Sequence, residues 1–261
     1  MESERIRKLR AVCQPSKLDL SLYRRLVIRP VSIYLTAALH RLGASANLVS
    51  ALKGLLAIAG AAMFCGRSVA WPAAGVLLLQ LSYLLDACDG ELARLHRTCQ
   101  SAGGEYIDKL GDAASRGLQH LFWGVGAYRL GGRLEILLVG GILGCLWLVV
   151  RFCLVETVLE SLAARPNDPP SRGQRRALVK CFVTRPESGR LEYLLSAVYH
   201  PWINMVTLAV AAELVIPEVR LGGSVLHTRG ILLLAFAAAW TLNLFRKALA
   251  SFSVADFRRP S

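Results

Sequence analysis

Six stretches of this chain are apolar for close to the ~20 residues that a helix needs to cross a bilayer. They run from Asn47 to Cys65, Trp71 to about Asp86, Glu105 to Tyr128, Leu134 to Glu156, His200 to Ile216 and Gly230 to about Leu249. In hydrocarbon a backbone must satisfy its own hydrogen bonds, so such runs are restricted to helices packed side by side. Hydrophobic residues make up 54% of the 261 and charged residues 19%, a balance that argues against an ordinary soluble domain. The expected fold class is all-α: a polytopic integral membrane protein with six transmembrane helices.

An amphipathic interfacial helix is expected to precede them. Leu20 to Leu42 mixes Arg24, Arg25, Arg29, His40 and Arg41 with leucines, valines and isoleucines, and Pro30 suits a helix start. Met1 to Lys17 is polar and basic and reads as a loose tail. The chain then divides into 1–43, tail and interfacial helix, and 44–261, the six-helix domain. A proline-rich cytoplasmic loop is expected at about 157–196. The first apolar run starts too late for a cleavable signal peptide.

Charge sets the orientation. Of the 31 lysines and arginines, 22 fall in the segments on one side of the six runs and five on the other. By the positive-inside rule the richer side is cytoplasmic, and it holds both termini. The net charge of +13 is carried between apolar runs, not along one polar face. That favours an anionic bilayer surface as partner and disfavours nucleic acid. The seven cysteines include no CxxC pair and read as small apolar residues.

Against this background four carboxylates stand out. Asp86 and Asp89 are spaced i, i+3, and Asp108 and Asp112 i, i+4. Each pair would lie on one face of a helix. Carboxylates gathered between apolar helices repel one another and resist ionisation unless cations join them. Oxygen-only ligation suits magnesium, manganese or calcium, not zinc. Two facing pairs could hold two ions about 4 Å apart, a recurring arrangement in phosphoryl chemistry. Gly90, Ala93, Gly103 and Gly104 would let a ligand approach the backbone or let helices pack tightly. Arg94 could hold a phosphate or anchor a helix end. Arg116, Lys53, Lys109 and Arg151 fall within the apolar runs, where cations mark a site or a pairing. They could bind a phosphate on a substrate or simply pair with the aspartates. Glu105 and His96 read more simply as solvated groups.

The pattern Asp86-x2-Asp89-Gly90-x2-Ala93-Arg94, then Gly104-x3-Asp108-x3-Asp112, resembles the signature of the CDP-alcohol phosphotransferases, also called CDP-alcohol phosphatidyltransferases. Every fixed position matches. The turn departs: nine residues separate Arg94 from Gly104 where eight are expected, and the extra one is placed at His96 to Gln100, in the turn. Arg29-Pro30-Val-Ser and Ala44-Ser-Ala-Asn47-Leu-Val-Ser50 also resemble the family's amino-terminal segment, with Ala46 where proline is usual and Ser50 where threonine is usual.

The resemblance implies an enzyme of phospholipid biosynthesis. It would move a phosphatidyl or substituted phosphoryl group from a CDP-linked donor to an alcohol hydroxyl, releasing CMP. It implies two Mg2+ or Mn2+ ions held by Asp86, Asp89, Asp108 and Asp112, with Asp112 also the catalytic base. Gly90, Ala93, Arg94 and Gly104 would contact the nucleotide. Arg116 and Arg151 are candidates to hold the acceptor from their positions within the apolar runs, not from the resemblance. Either donor or acceptor would be a lipid, and family members are often homodimers. The wording Asp-Gly-Glu-Leu-Ala-Arg weakly favours the branch that transfers inositol phosphate. The rival reading, a membrane cation transporter or metal-binding scaffold, accounts for the aspartates but not for Gly90, Ala93 and Arg94.

Overall fold

A computed structural model describes residues 4–14, 23–96, 102–163, 202–221 and 224–256. Helix α1 (Glu4–Cys13) comes first. A π-helical turn, Arg24–Ile28, runs directly into α2 (Arg29–Arg41), which carries Pro30 in its first turn. The backbone is helical on both sides of Arg29, so Pro30 lies within a continuous helix, and the π-turn, in which the Arg29 amide reaches back five residues to the Arg24 carbonyl, makes room for the proline ring. Gly43 ends α2 in the left-handed conformation at φ 70°, and the amides of Gly43 and Ala44 close back on His40 and Leu39. Ser45 then caps α3 (Ala46–Ala62) by accepting from the Leu48 amide.

A short 3-10 turn, Met63–Cys65, connects to α4 (Ala70–Leu95). The helix does not stop at Asp86: the first half of the motif, Asp86 to Arg94, makes up its last three turns. α5 (Ala102–Gly131) returns and α6 (Leu134–Ala163) follows, helical beyond the Glu156 limit expected from sequence. α7 (Trp202–Val215) is joined to α8 (Thr228–Asp256) by an antiparallel hairpin of β1 (Glu218–Leu221) and β2 (Ser224–His227). This hairpin is the one sheet among the described residues, and it is not foreseen by the all-α reading. The expected loop lies outside the described residues from 164 onward.

Small residues bring the helices together. A Cβ on Gly75 would stand 2.6 Å from the Gly60 carbonyl, and one on Gly144 would stand 2.6 Å from that of Gly117. α3 with α4, and α5 with α6, therefore cross backbone to backbone, as helices do where no hydrophobic effect drives them together. The main core joins Phe64, Val76, Trp123, Leu143, Val206 and Leu233.

The apolar residues are not all inside. Leu134, Leu138, Ile142, Leu146 and Val149 are exposed along one stripe of α6, and Leu48, Leu52, Leu55 and Ile58 are exposed on α3. Soluble monomers rarely expose apolar surface on this scale. Ala46–Cys65 and Ala70–Leu95 are each long and apolar enough to cross a membrane. Leu134–Val149, Asn204–Val215 and Thr228–Leu242 are shorter apolar stretches among the described residues.

The first residues are not a loose tail. Within Glu4–Cys13 they form a helix whose Ile6 and Cys13 are buried against Ile33 and Ala37 of α2, with Leu95 of α4 beside them.

Candidate active site

Three helices converge on one ammonium group. Lys53, one turn after Ser50 on α3, is almost fully enclosed, with its side chain 4% exposed. Its Nζ lies 3.0 Å from Asp86 Oδ1, 3.8 Å from Asp89 Oδ2 and 3.6 Å from Asp112 Oδ1. The i, i+3 spacing aims both α4 aspartates at α3, and Asp112 arrives from α5. Ser50 donates to Asp89 Oδ2 at 2.8 Å, so Ser50 and Lys53 act from one face of α3. Arg24 adds a second cation, its Nη2 3.3 Å from Asp86 Oδ2.

Arg24 is itself supported. Its guanidinium lies 5.8 Å from the centre of the Tyr83 ring, and Tyr83 stacks on Tyr23. The Tyr23 hydroxyl donates to Gln80 Oε1 at 2.7 Å, and Gln80 donates on to Thr207 of α7 at 3.0 Å. The turn before α2, the motif helix and α7 are thus connected beside the aspartates.

Exposure grades the three carboxylates. The Asp89 side chain is 7% exposed, that of Asp86 28% and that of Asp112 40%. Asp112 borders a cavity of about 90 Å3 that Lys53, Ser82, Ser115, Arg116 and Gln119 also line. An acceptor hydroxyl could reach a carboxylate there. Arg116 joins this cavity as its helix register suggests, and its guanidinium sits 5.6 Å from the centre of the Trp147 ring on α6.

The oxygen-only donor set fits a hard divalent ion such as Mg2+ or Mn2+. Negative charge at Asp86, Asp89 and Asp112 exceeds what Lys53 and Arg24 supply. Among the described residues, no three acidic, histidine or cysteine side chains close on a single metal position; the group that the three aspartates share is the ammonium. The side chains of Asp108 and Arg151 lie outside the described residues, as do the surroundings of Gly104 in the first turn of α5.

The remaining motif residues occupy the end of α4. The Arg94 guanidinium lies over Gly90: a Cβ there would meet Nη1 at 3.5 Å. The pair forms one surface next to Asp89. Ala93 packs against the cluster of Ala46, Val49, Leu85, Cys88 and Leu92.

Glu91 is the residue that sequence reasoning passed over. It is 2% exposed, and it accepts from Gln14 Nε2, Ser32 Oγ and Thr36 Oγ1, each at 2.7 Å. A buried carboxylate is tolerable with such donors and costly without them. The signal was present in Ser32 and Thr36, spaced i, i+4 on an otherwise apolar face, but their partner lies more than fifty residues away. Gln14 also donates to the Arg29 carbonyl, and Arg94 Nε donates to that of Cys13 at 2.6 Å. Burial, then the nearby Glu91 carboxylate, pushes the Cys13 thiol up, and Arg94 opposes them.

A second buried ionic centre lies far from the aspartates. Arg229, 1% exposed, pairs with Glu213 at 2.6 Å and also donates to the carbonyls of Phe64 and Gly66.

A comparison with curated proteins gives no match. The family model described as CDP-alcohol phosphatidyltransferase matches residues 44–211. That match runs from the start of α3 through the carboxylate motif into α7 and covers more than half of the chain, so the chain belongs to the CDP-alcohol phosphatidyltransferase family.

Proposed function

We propose that this protein transfers a phosphatidyl or substituted phosphoryl group from a CDP-linked donor to an alcohol hydroxyl and releases CMP. The observation that carries the reading is the convergence of Asp86, Asp89 and Asp112, from two helices, around Lys53. Family membership supports a transferase using a CDP-alcohol, and the family is generally dependent on a divalent metal.

Asp86, Asp89, Asp108 and Asp112 would hold two Mg2+ or Mn2+ ions. Ions bound there would offset charge on the donor's diphosphate and assist the departure of CMP. Arg94 and Gly90, on one surface beside Asp89, would receive the cytidine nucleotide, with Ala93 and Gly104 allowing its close approach. Asp112, the most exposed of the three described carboxylates and facing the cavity, takes the proton of the acceptor hydroxyl. The hydroxyl oxygen then attacks the donor phosphorus as the bond to CMP breaks. Arg116, lining the same cavity, would hold a phosphate on a phosphorylated acceptor, with Arg151 as a further candidate. No covalent enzyme intermediate is required.

We place the site at the cytoplasmic edge of six crossings, on the distribution of lysine and arginine and the exposed apolar stripes. A donor with lipid tails would then approach from the side.

The test is release of CMP from CDP-diacylglycerol and from soluble CDP-alcohols, with magnesium and a panel of alcohols. Wild-type protein should release CMP with at least one donor and alcohol together. Asp112→Asn should abolish it while thermal unfolding in detergent is retained. Metal flux in vesicles without CMP release would favour a transporter instead.

A further inference from the structure

Lys53 has a peculiar address. It is a long cation on an apolar helix, nearly sealed from solvent, and it lies within 4 Å of three aspartates at once. A structural counter-ion needs one partner, not three. An ammonium in contact with Asp86, Asp89 and Asp112 competes for the oxygens that any divalent ion must use. Charge also fits a double role. The three described aspartates carry more negative charge than Lys53 and Arg24 supply, so the centre without ions retains a cation, and with divalent ions bound it would favour an anion.

We propose that Lys53 is the resident counter-ion of the carboxylate centre. It neutralises the aspartates before ions load, is displaced from them on loading, and then pairs with the diphosphate that arrives with the ions. This rests on the functional reading above for the identity of the ions and the anion. Ion binding without donor is then weaker than the carboxylates alone would give, and donor and ions favour each other's binding through Lys53. The ammonium need not travel far, because Lys53 already lines the cavity beside Asp112. No proton is exchanged in this step; one ion pair is traded for another.

The test is Mn2+ binding to purified full-length protein without substrate, read by the free-ion signal in electron paramagnetic resonance. Lys53→Gln should bind Mn2+ about tenfold more tightly or better, since a like charge within a few ångströms of the ion has gone. Lys53→Arg, which keeps the charge, should stay near wild type. Mn2+ should raise the unfolding temperature of Lys53→Gln more than that of wild type. For CMP release, Lys53→Gln should raise the donor KM and leave the acceptor KM in place.

Equal or weaker Mn2+ binding by Lys53→Gln overturns the proposal, as does the absence of Mn2+ binding in wild type and variant alike. Asp89→Asn separates this from the functional reading. If Asp89→Asn weakens Mn2+ binding but wild type releases no CMP from any donor, the enzyme reading fails while the isotherms still decide Lys53. If wild type releases CMP and the isotherms of wild type and Lys53→Gln coincide, the Lys53 proposal fails alone.

Discussion

Arg94 donates through Nε to the main-chain carbonyl of Cys13 at 2.6 Å, tying the last turn of the motif helix to the end of the amino-terminal helix. One residue on, Gln14 reaches Glu91 of the same turn. The guanidinium that lies over Gly90 is therefore aimed by a helix far away in sequence. Loss of one charge-assisted hydrogen bond corresponds to roughly 1.5–3 kcal/mol. Removing residues 1–14 should then raise the donor KM by about tenfold or more, with a smaller change in kcat. Steady-state kinetics of CMP release from the truncated chain would check this; an unchanged donor KM would remove α1 from the site.

Glu91 should matter for stability more than for chemistry. Glu91→Ala leaves Gln14, Ser32 and Thr36 without their shared acceptor in a buried place, and the loss should be about 3 kcal/mol. Glu91→Gln keeps an acceptor oxygen and should lose less. Thermal unfolding in detergent ranks the two variants, and a Glu91→Ala chain as stable as wild type would contradict the packing described.

The Cys13 thiol offers a pH readout of the same junction. Burial and Glu91 both disfavour the thiolate, while Arg94 favours it. The thiolate therefore forms only above the ordinary thiol range, and maleimide labelling should rise late as pH is raised. In a chain whose other cysteines are replaced, Glu91→Gln should shift the labelling midpoint to lower pH and Arg94→Ala to higher pH. General loosening would move both variants the same way, so opposite shifts identify the electrostatic cause.

These three tests concern contacts that the sequence did not display. The first half of the motif was legible because its logic is local: an i, i+3 spacing puts Asp86 and Asp89 on one face of α4 whatever surrounds them. The apolar runs were legible for the same reason, since length and composition belong to each segment alone. Lys53 was half legible. Sequence offered pairing with the aspartates or a phosphate as alternatives, and only the approach of α3 to α4 and α5 puts the ammonium on three carboxylates. Glu91 was overlooked because its donors come from two other helices. The basic residues of α1 hid the Ile6 and Cys13 face that docks it, and net charge says nothing about which side of a helix is buried. The Arg229–Glu213 pair was not displayed either, because its two members lie on opposite sides of the β1–β2 hairpin in sequence.

That pair gives a prediction at the other end of the molecule. Arg229 and Glu213 are both buried, so Arg229→Met alone strands a carboxylate and Glu213→Leu alone strands a guanidinium. Each single change should cost about 3–5 kcal/mol. The double change removes both charges and should recover much of that loss, although the carbonyls of Phe64 and Gly66 still lose their donor. A double-mutant cycle by thermal unfolding measures the difference, and additive losses would show that the pair does not act as one unit.

The last prediction concerns the acceptor. Arg116 lines the cavity next to Asp112 and is held over the Trp147 ring. A guanidinium fixed against an aromatic face keeps its edges free for a bidentate anion, which a lysine cannot match. Arg116→Ala should raise the KM for a phosphorylated acceptor by about tenfold to a hundredfold, for the loss of one charge-assisted contact, and leave Mn2+ affinity alone. Arg116→Lys should recover only part of the loss. Trp147→Leu should move the acceptor KM in the same direction by less, because it frees the guanidinium without removing it. If Arg116→Ala leaves the KM of every accepted alcohol unchanged, the acceptor carries no phosphate at this position, and Asp112 alone defines where its hydroxyl binds.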